Sequence, residues 1–74
     1  MNAPVKRSVT IRGHRTSLSL EPPFWDELKR AAEHRGLSLA GLIAEVDAAR
    51  GVEPQSNLSS ALRVFVLDWV RANR

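Results

Sequence analysis

The stretch His14-Arg15-Thr16-Ser17-Leu18-Ser19-Leu20 constrains this chain more than any other. Thr16, Leu18 and Leu20 fall on one parity, and Arg15, Ser17 and Ser19 on the other. That is the period of a strand with one face on a core and one face open. The expected strand covers about residues 15–20, and its outward row carries hydrogen-bonding groups and no acid. A strand this short leaves its backbone N–H and C=O groups unpaired unless it finds a ladder partner. Any fold for this chain must therefore supply a second strand.

A chain of 74 residues fits one domain and can bury only a modest core. Cysteine is absent, which removes disulfides and thiolate zinc sites as staples. Association with a second copy is the remaining common way to complete so small a core. No stretch approaches the roughly 18 apolar residues of a membrane span. The start, Met1-Asn2-Ala3-Pro4-Val5-Lys6-Arg7, lacks the apolar run of a secretory signal. A cytoplasmic protein is expected, with residues 1–7 as a flexible basic arm and residues 8–74 as the folded domain.

A second alternating stretch, Ser8-Val9-Thr10-Ile11-Arg12, precedes the first, but its apolar residues are odd-numbered. One continuous strand would turn the two apolar pairs to opposite faces. The phase must therefore be reset, and Gly13-His14 is the expected place, as a bulge or a tight turn. An extra strand over about 8–12 in a hairpin, a single long bulged strand, and a weakly ordered arm all satisfy the pattern.

Three helices follow. Pro22 and Pro23 suit a helix first turn, where the missing N–H costs nothing. Phe24, Trp25, Leu28, Ala31 and Ala32 then share one face until Gly36 stops the helix, giving about residues 22–35. Ser38 caps a second helix of about 38–50, with Leu39, Leu42, Ile43 and Val46 as its apolar stripe and Gly51 as its stop. The corner between them is only Gly36-Leu37. After a loop over 51–56, Asn57 caps a third helix of about 57–72. Leu58, Ala61, Leu62, Val64, Phe65, Val66, Leu67, Trp69 and Val70 leave it only a narrow polar strip. A helix so apolar is covered on more than one side, and a second subunit is the expected cover.

The net charge of +3 is unevenly placed. Lys6, Arg7, Arg12 and Arg15 all precede the first acid, Glu21, and the remainder of the chain is balanced. A basic segment concentrated in this way fits a polyanion-binding surface. The simplest partner for the strand is the same strand of a twin subunit, in an antiparallel ribbon across a two-fold axis. Such a ribbon is of a size to enter the DNA major groove.

The string Arg15-Thr16-Ser17-Leu18-Ser19-Leu20, the helix ending at Gly36 and the helix opening at Ser38 together resemble the ribbon-helix-helix DNA-binding superfamily. The added Lys6-Arg7-Ser8-Val9-Thr10-Ile11 and the third helix look like a bacterial subgroup of it. The resemblance covers about residues 6–72. It implies a mostly α fold with a short β-ribbon, an intertwined obligate homodimer, and a C-terminal third helix. It implies a transcriptional regulator, with Arg15, Ser17 and Ser19 reading bases. Ser38 and Leu39, at the N-terminus of the second helix, are implied to hold a phosphate through backbone N–H groups. Lys6, Arg7 and Arg12 are expected as further phosphate contacts, and Leu18, Leu20, Leu42, Ile43, Val46, Phe65 and Trp69 as the dimer core. The third helix is expected to pack on its own subunit or on the twin.

Other chemistry finds little support. The serines lie in no nucleophile elbow or phosphate loop, and His14 and His34 lack zinc-ligand spacing. No enzyme, metal or cofactor is expected. Double-stranded DNA is the expected partner, read by a small repressor that occupies an operator. The competing expectation is a protein–protein interaction module or antitoxin-like dimer, docking a partner through the third helix without sequence-specific DNA binding.

Overall fold

The computed structural model describes residues 3–50 and 57–73. The loop expected over 51–56, with the Gly51 stop, lies outside the described residues. The chain runs as strand β1 (Val5–Ile11), strand β2 (His14–Leu20), and helices α1 (Pro22–His34), α2 (Leu39–Ala49) and α3 (Leu58–Ala72). A two-stranded antiparallel ribbon is thus followed by three helices.

The strands form a hairpin, with Val5 opposite Leu20, Arg7 opposite Leu18, Val9 opposite Thr16 and Ile11 opposite His14. Of the three arrangements that the alternation permits, the hairpin is the one formed. The phase reset sits one residue earlier than expected: Arg12 (φ 51°) and Gly13 (φ 80°) are the turn residues, and His14 already belongs to β2. Two successive positive φ angles give the turn a twist that matches the flanking strands. Arg12 is an unusual occupant of the left-handed region. Its guanidinium Nη2 donates to the Ala44 carbonyl of α2 at 3.1 Å, which ties the turn to the helical layer. Val5, Lys6 and Arg7, expected in a flexible arm, are part of β1, because the hairpin register carries the ladder to Leu20.

The odd positions of β1 and the even positions of β2 face the helices. Ile11, Leu18 and Leu20 are buried there with Leu28, Ala31, Ala32, Leu42, Ile43, Leu58, Leu62 and Val66. Helix α2 packs against β1, α3 against β2, and α1 against both helices. Each fully buried leucine contributes about 1.5–3 kcal/mol by leaving water. Leu18, Leu20, Leu42 and Ile43, expected as dimer core, are buried by elements of their own subunit. Val46, Phe65 and Trp69 are only partly buried, at the margin of this core. Helix α3 covers the flank of α1, α2 and β2 and so supplies much of this burial.

The corner between α1 and α2 is set by its backbone hydrogen bonds. The Leu37 N–H donates to Ala32 O at 2.9 Å and the Gly36 N–H to Glu33 O at 3.1 Å, with Gly36 at φ 68°. That pairing satisfies the last carbonyls of α1 and reverses the chain within two residues. Ser38 then caps α2, its Oγ accepting the Gly41 N–H at 3.0 Å. Asn57 caps α3 in the same way, through the Ser60 N–H at 2.8 Å.

Candidate nucleic-acid interface

Because opposed residues in an antiparallel ladder share a face, the hairpin register defines the surface turned away from the helices. Lys6 lies opposite Ser19, Ser8 opposite Ser17, and Thr10 opposite Arg15. All but Ser19 are exposed, and Ser19 is half-exposed. The face therefore carries two cations, three serine hydroxyls and a threonine hydroxyl, with no carboxylate among them. Such a face can donate hydrogen bonds to base edges and phosphate oxygens without repelling a polyanion.

The expected readers Arg15, Ser17 and Ser19 are together on this face. Sequence reasoning gave Ser8 no role on a surface and placed Lys6, an expected phosphate contact, in a flexible arm. The opposite parities of the two alternating stretches, folded through a two-residue turn, are the signal that puts both on the same face. Arg12, expected as a phosphate contact, is not on this face: it occupies the turn and reaches back to α2.

Arg7 is also turned away from that face. It is half-buried on the helix side, its guanidinium carbon 4.5 Å from the centre of the Trp25 ring, and its Nε is buried without a hydrogen-bond partner. Stacking a cation on an indole face favours the pair electrostatically. Arg7 is thus placed to hold β1 against α1.

Ser38 and Leu39 stand at the start of α2. The Ser38 hydroxyl is committed to the Gly41 N–H, and the first α2 hydrogen bond runs from Leu42 N–H to Ser38 O at 3.0 Å. The N–H groups of Leu39 and Ala40 therefore have no acceptor within the helix, and they are the groups able to meet an anion there.

The far edge of β2 is closed at one end by α3. With Ile11 and His14 as the bonded pair next to a two-residue turn, Ser19 belongs to a pair whose amides point outward from the ladder. Its N–H donates to Ser59 Oγ at 3.3 Å, and its carbonyl accepts from Arg63 Nη2 at 3.4 Å. The same guanidinium donates to both carboxylate oxygens of Glu21, at 2.9 and 3.3 Å. That hydrogen bonding, helped by a backbone amide, holds the Glu21 pKa below its usual 4.5. No hydrogen bond to a helix is found for the backbone of Arg15 or Ser17 among the described residues.

A different surface lies between α2 and α3. Val46, Ala49, Ala61, Val64 and Phe65 line an open groove of about 420 Å³ with Arg50 and Asp68 beside it. Val64 and Leu67 are 58% and 48% exposed. No group of three or more metal-ligating side chains is present among the described residues, and none of their helices is long and apolar enough to cross a membrane.

Neither a curated protein nor a solved structure matches the chain. The sequence pattern of the ribbon-helix-helix domain matches residues 4–70, from just before β1 to near the end of α3. Domains of this kind are typically DNA-binding regulators or antitoxins, non-enzymatic and usually bound to DNA as dimers. A hairpin, a short-cornered helix pair and a third helix lie within that span, and the chain belongs to the ribbon-helix-helix domain family.

Proposed function

We propose that the protein is a dimeric DNA-binding regulator that represses transcription by occupying an operator. The acid-free outward face of the hairpin carries this reading. Two copies pair through the free edges of β2, next to Arg15 and Ser17, and present a shared β-surface to the major groove. Arg15 reads guanine, the base that an arginine fork matches best. Ser17 and Ser19 read more permissively, because a hydroxyl donates and accepts. Lys6 and the Leu39 and Ala40 amides hold phosphates on either side. Repression follows from occupancy alone.

Selection from a random duplex library tests this. Wild type is expected to enrich a two-fold symmetric sequence, and Arg15→Ala to lose that preference while remaining folded. Enrichment of nothing by the wild type would sink the reading. It would favour a second one, supported by the exposed Val64 and Leu67 beside the α2–α3 groove. In that case the domain is an antitoxin-like module whose third helix docks a protein.

A further inference from the structure

We infer that β1 is a phosphate-gripping rail that flanks the reading strands and does not itself read bases. The inference rests on the proposed pairing of two β2 edges, which places the strands in the order β1, β2, twin β2, twin β1. Neighbouring strands lie about 4.8 Å apart. Four of them set the outer strand axes about 14 Å apart, against a major groove about 12 Å wide. The two central strands fit between the groove walls, and the two outer strands meet the walls themselves. Those walls are sugar and phosphate.

The outward side chains of β1 suit that position. Lys6, Ser8 and Thr10 are all exposed and alternate along one face of the strand. An ammonium and two hydroxyls are donors to phosphate oxygens, and none is an acceptor-only group. Each stands beside a proposed reader: Lys6 by Ser19, Ser8 by Ser17 and Thr10 by Arg15. The strand is held rigidly behind them. Arg7 stacks on Trp25 of α1, Ile11 is buried in the core, and Arg12 ties the adjoining turn to Ala44. The rail thus has its register fixed from the core side, so its donors meet successive phosphates without an ordering cost at binding.

The test compares wild type, Ser8→Ala/Thr10→Val and Lys6→Ala on the duplex selected by wild type and on a scrambled duplex, across a salt series. Valine keeps the β-branched shape of threonine, so the strand is preserved, and thermal melting checks that it is. The double variant is expected to weaken binding to both duplexes by the same factor, about tenfold per hydroxyl-to-phosphate bond removed, with the salt slope unchanged. Lys6→Ala is expected to reduce the slope of log affinity against log salt by about 0.9 per subunit. Both variants should select the same sequence as wild type. A changed base preference in the double variant would overturn the inference, because β1 would then be a reader. Unchanged affinity in both variants would overturn it too, while leaving the Arg15 reading intact. If wild type is retained on neither duplex at low salt, the DNA-binding reading falls and the rail falls with it.

Discussion

The Ser59 hydroxyl accepts the Ser19 amide N–H at 3.3 Å, so a helix side chain stands where a neighbouring strand would otherwise bond β2. A β-edge exposes a row of such groups, and leaving one buried without a partner costs more than the bond itself contributes. The first prediction follows from this contact. Ser59→Ala should lower stability by about 0.5–1.5 kcal/mol. It should also speed amide hydrogen exchange at Ser19 more than at the ladder-bonded Leu18. Equal protection of Ser19 in both proteins would show that the hydroxyl is not its partner.

Arg63 joins the same end of the ribbon to α1 through Glu21. The Glu21 pKa is held down chiefly by the Arg63 hydrogen bonds. A carboxylate with a depressed folded-state pKa adds stability that is present above its unfolded pKa. That contribution is lost as pH falls through the folded-state value. Wild type should therefore lose stability relative to Glu21→Gln as pH drops below about 4.5. Melting temperatures of the two proteins between neutral pH and pH 2 measure this, and parallel curves would refute the pairing.

At the hairpin tip, Gly13 has φ 80° with open space where a Cβ would stand. The cost of a side chain there is conformational, not steric contact with neighbours. Gly13→Ala should destabilise by about 1–2 kcal/mol, whereas Gly13→Asn should cost less, since asparagine visits this region more readily. Urea denaturation with an unchanged slope is the measurement.

Arg7 offers a separation of stability from binding. Its place over Trp25 predicts that Arg7→Ala weakens the fold by about 0.5–2 kcal/mol and alters Trp25 fluorescence. The salt slope of DNA binding should stay the same, because Arg7 faces away from the proposed DNA surface. A slope reduced as much as in Lys6→Ala would place Arg7 among the phosphate contacts.

The third helix is predicted to be indispensable to the single subunit. Leu62 is wholly buried, and Leu62→Ala should cost about 2–5 kcal/mol. In a domain of this size that lowers the melting temperature by about 10 °C or more. A small drop would mean that α3 is an ornament on a core complete without it.

Much of this architecture was legible. The alternation at Thr16, Leu18 and Leu20, the stop at Gly36 and the cap at Ser38 each follow from local chemistry, which a short chain expresses directly. The hairpin was one of three open solutions, since alternation fixes parity but not the direction of the chain after a glycine. What the sequence concealed was long-range. Nothing local marks Ser59 and Arg63 as partners of residues about forty positions earlier. Arg7 shares the parity of Val9 and Ile11 and so could be placed inward, but nothing local marks Trp25 as the ring it stacks on. The apolar excess of α3 divides in the same way: Leu58, Leu62 and Val66 are buried in their own subunit, while Val64, Leu67 and Val70 stay exposed on it, and composition alone does not say which go where.

The turn at Arg12 and Gly13 also governs which insertions the hairpin can absorb. The ladder pairs odd positions of β1 with even positions of β2. If the two-residue turn were kept, one extra residue at the tip would slip the register by one and exchange the two faces of β1. Val9 and Ile11 would then be in water, and Lys6, Ser8 and Thr10 against leucines. Two extra residues would restore the sides. An odd change in length is therefore absorbed only where a longer loop or a bulge takes up the extra residue, whereas an even one keeps the inside and the outside of the sheet even if the tight turn is retained.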